Sequence, residues 1–74
     1  MNKRQYSVLR YIQDYININN ISPTYVEISR NCNVSSDSHA HKVVKALVRD
    51  GYLEISSSGI RKIRLYQATG SNNA

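Results

Sequence analysis

Seventy-four residues make one small domain, enough to bury about 60% of the surface its unfolded chain exposes. Ten Lys and Arg stand against five Asp and Glu, giving a formal charge of +5 and a pI near 9.7, a balance that suits a polyanionic or an acidic partner. The single Cys32 excludes an internal disulfide, no run approaches the roughly 18 apolar residues of a membrane span, and no signal-peptide core opens the chain; a cytoplasmic protein is predicted.

Asn2 with Gln5 has the spacing of a capping box. Val8, Leu9, Ile12, Tyr15 and Ile16 then recur at helical spacing, which predicts a first helix over 3–17. Asn19 and Asn20 end it, because Asn tolerates the left-handed conformation of helix termini. Ile21-Ser22-Pro23 is a linker, since proline disfavours helix in the residue before it. Thr24 with Glu27 forms a second capping box and opens a shorter helix with Tyr25, Ile28 and Cys32 on its inner face. Asn31 and Asn33 mark the turn that follows, and Val34 points inward from it.

Ser35 or Ser36 caps the third helix. Ala40, Val43, Val44, Leu47 and Val48 form its apolar stripe, while Ser38, His39, Lys42, Lys45 and Arg49 fall on the opposite side. A short helix, a tight turn and a second amphipathic helix make a helix-turn-helix. Hydrogen-bonding and cationic side chains on the exposed side of an anchored helix are what major-groove reading requires; a solvated charged face is the plainer reading. Gly51 ends this helix. Tyr52–Ile55 and Ile60–Leu65 suit two short strands, with Ile63 and Leu65 alternating against Lys62 and Arg64. Ser56-Ser57-Ser58-Gly59 makes the hairpin tip between them.

The predicted fold is therefore mainly α with a small β-hairpin: a winged helix-turn-helix of three helices and a two-stranded antiparallel wing, over residues 1–67. Residues 68–74 are a flexible polar tail. The charge is uneven along this frame: residues 56–74 carry +3 from Arg61, Lys62 and Arg64 with no acid, whereas residues 31–55 are balanced. Six Tyr and no Phe or Trp leave tyrosine as the only aromatic packing.

No catalytic set is visible. Asp37 and Asp50 sit at opposite ends of one helix, and no glycine-rich phosphate loop occurs. Cys32, His39 and His41 do not make a metal site, since residues two apart on a helix point about 160° away from each other and a fourth ligand is missing. No cofactor is expected, and Cys32 is read as a small core residue.

The run from Arg4-Gln5 to Arg64-Leu65 resembles the N-terminal DNA-binding domain of the LexA-type SOS repressors. The matching pieces are Arg4-Gln5, Ser22-Pro23-Thr24 with Glu27-Ile28, Lys45-Ala46-Leu47 leading to Gly51, Glu54-Ile55 and Ile63-Arg64-Leu65. The resemblance implies that helix 3 reads the major groove and the wing touches phosphates. Carried over position by position, base reading falls on Ser36, Ser38, His39, His41 and Lys42. The family's usual acidic pair is replaced here by His41 and Lys42, and its Asn and Ala by Ser38 and His39. Lysine donates to guanine O6 and N7 where a glutamate accepts from cytosine N4, so a different operator is expected. Asn33 stands where the family usually has Gly.

Beside base reading, His41 has packing or a phosphate contact as alternatives. Lys45 and Arg49 reach phosphate or stay solvated. Arg61, Lys62 and Arg64 track the backbone or serve solubility. Tyr25 offers its hydroxyl to a phosphate or packs. The sequence has no counterpart of the protease domain that follows in LexA-type repressors, so it reads as a fragment or as a free-standing regulator of phage or plasmid type. The expected function is sequence-specific binding of double-stranded DNA by a transcriptional repressor, paired on DNA as a homodimer or with a protein partner. The competing class is a winged-helix module that binds another regulator, a polymerase or a nuclease.

Overall fold

A computed structural model describes residues 2–56 and 61–66. Within them the order is α1 (Lys3–Asn19), α2 (Tyr25–Asn31), α3 (Asp37–Arg49), β1 (Leu53–Ile55) and β2 (Ile63–Leu65). Three helices and a two-stranded antiparallel sheet give the expected winged helix-turn-helix. The tip at 57–59, Ile60 at the expected strand start, Gln67 at the expected domain end and the tail at 68–74 lie outside the described residues.

Both capping boxes form. Asn2 Oδ1 accepts from the Gln5 N–H at 2.8 Å while Gln5 Oε1 accepts from the Asn2 N–H at 3.0 Å, which satisfies two N–H groups that α1 would otherwise leave unpaired. The helix runs to Asn19, two residues past the expected end. Asn19 Nδ2 donates to the Tyr15 carbonyl, and the left-handed stop falls one residue later, at Asn20 (φ 61°). Asn33 takes the second positive φ of a non-glycine residue, 58°, which asparagine tolerates. It turns the chain so that Val34 is buried.

Ser36, and not Ser35, caps α3; its Oγ accepts from the His39 N–H at 3.1 Å. The exit of α3 is a Schellman motif: Tyr52 N–H donates to the Leu47 carbonyl at 3.0 Å and Gly51 N–H to that of Val48 at 3.1 Å. Gly51 takes φ +90°, and an added Cβ would meet nothing within 4 Å. Glycine is needed here for its backbone conformation and not for room.

The core is where three helices and the wing base meet. Val8, Leu9 and Ile12 of α1 and Ile28 of α2 pack against Ala40, Val43, Val44 and Leu47 of α3, and Leu53 and Ile63 close the bottom. Tyr25, Cys32 and Val48 are half-buried against this cluster. In the wing, Leu53 pairs with Leu65, Glu54 with Arg64 and Ile55 with Ile63, so the apolar residues share one face and Glu54 and Arg64 share the other. The strands are shorter than expected because Tyr52 is used in the helix exit and Arg61 turns back to the helices. Single hydrogen bonds from Tyr66 N–H to the Tyr52 carbonyl and from Ser56 N–H to the Lys62 carbonyl extend the pairing at either end.

Candidate nucleic-acid interface

The stripe that anchors α3 leaves its other side open. Ser38, Lys42, Lys45 and Arg49 are all exposed, and their spacing of four, three and four residues stacks them along one line of the helix. His41 lies on the flank facing α2, where its ring packs edge-on against Tyr25 with centroids 4.7 Å apart. His39 lies on the other flank, half-buried, with Nδ1 3.3 Å from Ser35 Oγ. Ser36 is exposed at the helix start, but its hydroxyl already accepts the capping hydrogen bond. A cleft of about 400 Å³ opens between α2 and the start of α3, lined by Tyr25, Asp37, Ser38, His41 and Lys42.

The cations differ in freedom. Among the described residues, no carboxylate comes within 4 Å of the charged ends of Lys42, Lys45, Lys62 or Arg64. Arg49 Nε lies 3.3 Å from Asp50 Oδ1 in an exposed pair, a contact weak enough for solvent or phosphate to displace. The described residues include no group of three or more His, Cys, Asp or Glu able to hold a metal ion. Burial pushes the Cys32 thiol up from its ordinary value, which keeps it protonated. No described helix is long and apolar enough to cross a membrane.

A helix-turn-helix with a polar line on its second helix and a cationic wing beside it is a widespread arrangement; comparison with known proteins decides the family. The family model of the LexA DNA binding domain matches residues 1–62. The chain belongs to the LexA DNA-binding domain family. It is similar to a LexA repressor of Glaesserella parasuis serovar 5 (strain SH0165), with 36% identity over 62 residues, 84% of this chain. The chain spans about 30% of that relative's length.

Two of the residues read as phosphate contacts, Tyr25 and Arg61, are engaged within this LexA-type domain. Tyr25, for which packing was the alternative, packs: its Oη is shut off from solvent and has no hydrogen-bond partner among the described residues. The ring lies along the core edge of α2, and burial pushes the phenol up from its ordinary value. Arg61, also expected at a phosphate, turns away from the wing. Its guanidinium makes a two-point contact with the Glu27 carboxylate, at 3.0 and 3.3 Å, and also donates to the Ser22 carbonyl and the Tyr15 hydroxyl.

Glu27, Ser22 and Tyr15 are the residues that sequence reading missed. Glu27 was legible as a cap, and the cap is present: its Oε1 accepts from the Thr24 N–H at 2.8 Å. Its second duty joins residues 34 apart, and no local pattern reports that. The Arg61 hydrogen bonds first, and the Thr24 N–H second, hold the Glu27 carboxyl below the ordinary glutamate value of 4.5. The folded state thus binds this proton less tightly than the unfolded chain. The stabilisation is complete above 4.5 and is lost as pH falls through the lower, folded-state value. Melting followed by circular dichroism from about pH 5 to about pH 3 checks this: the wild type should lose melting temperature on acidification, and Glu27→Gln should lose less.

Proposed function

We propose that this LexA-type domain is a sequence-specific, double-stranded DNA-binding transcriptional regulator acting as a repressor. In this reading α3 lies in the major groove, with base contacts from Ser36, Ser38, His39, His41 and Lys42. Lys45 and Arg49 continue the same line to the phosphates, and Lys62 and Arg64 add phosphate contacts from the wing. The observation that carries the reading is the exposed line of Ser38, Lys42, Lys45 and Arg49 on a helix fixed by four buried residues. Rigid support on one side, with Lys42 and Lys45 lacking a counter-ion among the described residues on the other, is the arrangement base reading demands. Lys42 carries only donors, so guanine N7 and O6 are its natural partners. One domain of this size covers one half-site, and pairing of two copies on an inverted repeat supplies the remaining affinity.

The test is duplex-DNA binding by fluorescence anisotropy across a salt series. Replacing Lys62 and Arg64 together by Ala should weaken cognate and random duplexes alike and lower the slope of log K against log salt by about 2. An unchanged slope removes the wing from the contact surface. Absence of any salt-dependent duplex binding by the wild type favours instead a module that docks on another protein.

A further inference from the structure

Arg61 is the first described residue of the wing's second arm, and its guanidinium makes four hydrogen bonds outside the wing. Nη1 donates to Glu27 Oε1 (3.0 Å), the Ser22 carbonyl (2.8 Å) and the Tyr15 hydroxyl (3.2 Å), and Nη2 donates to Glu27 Oε2 (3.3 Å). These partners come from α2, the linker between α1 and α2, and α1. A planar fork held on both oxygens of a carboxylate is fixed in orientation as well as position. Glu27 is itself anchored, because the same carboxylate closes the capping box of α2. Two residues along, the Ile63 N–H donates to the buried Ser22 Oγ at 3.2 Å, and that hydroxyl donates to the Pro23 carbonyl at 2.7 Å. On either side of Lys62, Arg61 is thus tied to α1, α2 and their linker and Ile63 to the linker, and Arg64 follows directly.

We infer that Arg61 is a positioning residue for DNA binding: clamped on Glu27, it sets the wing against the start of α2 so that Lys62 and Arg64 meet the phosphates. The inference rests on the DNA-binding reading above. It gives an acidic residue, Glu27, a favourable part in holding a polyanion. Were Arg61 itself a phosphate ligand, Glu27 would compete with DNA for it, and removing that carboxylate would strengthen binding. The two roles therefore predict opposite signs.

The experiment measures duplex affinity by anisotropy across a salt series for the wild type, Glu27→Gln, Arg61→Lys and Arg61→Ala, each with and without Lys62→Ala. Glutamine serves a capping box as glutamate does, so Glu27→Gln keeps the start of α2, and circular dichroism melts set a temperature at which every variant is folded. Glu27→Gln should weaken binding about fivefold and lower the salt slope by about 1 to 2 as the wing cations leave their phosphates. Arg61→Lys should behave like Arg61→Ala, because an ammonium cannot span both carboxylate oxygens and the Ser22 carbonyl. Lys62→Ala should cost less in the Glu27→Gln background than alone, the mark of a shared mechanism. Binding by Glu27→Gln that equals or exceeds the wild type, or Arg61→Lys at wild-type strength, overturns the positioning role and makes Arg61 a direct ligand. Failure of the DNA-binding reading is distinguishable, since the wild-type curve itself is then flat before any variant is compared.

Discussion

Replacing Leu47 by Ala should lower the unfolding free energy by about 2–5 kcal/mol, the range for emptying a well-packed aliphatic site. Leu47 is fully buried, on the stripe that seats α3 against α1 and α2. It also anchors the helix exit, since its carbonyl accepts from the Tyr52 N–H that begins the turn into the wing. A chain this small has a total stability of about 4–11 kcal/mol, so one such cavity removes a large share of it. Urea denaturation should show a lower midpoint with an unchanged slope, because the surface exposed on unfolding is nearly the same. DNA affinity should fall in proportion to the unfolded fraction at the assay temperature and return on cooling towards the stability maximum. A loss below about 1 kcal/mol would mean that the site collapses around the smaller side chain.

Replacing Lys42 by Ala should cost about 1–3 kcal/mol on the cognate duplex and relax discrimination at one base pair. Lys42 lies in the exposed line of α3, lines the cleft beside Tyr25 and His41, and has no counter-ion among the described residues. Its charge is therefore available to an acceptor outside the chain. Affinities for the cognate site, the site changed at each position, and random duplex separate two roles. A loss confined to the cognate site marks base reading; an equal loss on all three marks a phosphate contact. Substituting 7-deazaguanine at the affected position removes the N7 acceptor and should reproduce the loss in the wild type while leaving Lys42→Ala indifferent.

Much of this molecule is readable from short-range chemistry. Asn2 with Gln5 and Thr24 with Glu27 announce helix starts because a cap is a contact between residues three apart. The stripe from Ala40 to Leu47 announces a buried face because helical spacing repeats within a dozen residues. Gly51 announces an exit because few other residues take φ near +90°. The departures are of a different kind. Asn19 and Asn20 both suit a helix end, and the sequence alone does not separate them; neither does it separate Ser35 from Ser36 as a cap. Whether Tyr25 offers its hydroxyl outward depends on how α2 rolls against the core, which is decided by packing across the whole cluster. Arg61 reads as a free wing cation because its partners lie 34, 39 and 46 residues away. Of the candidate interface, the polar line on α3 was legible, while the division of the wing into tied and free cations was not.

Selection from a random duplex library at moderate salt, followed by anisotropy on the enriched sequences, shows whether α3 reads sequence. A defined motif should emerge, with guanine at the position Lys42 meets and an inverted repeat if two copies pair, and its affinity should fall steeply with salt. No enrichment, with equal and weak binding to every duplex, would contradict sequence-specific reading by α3.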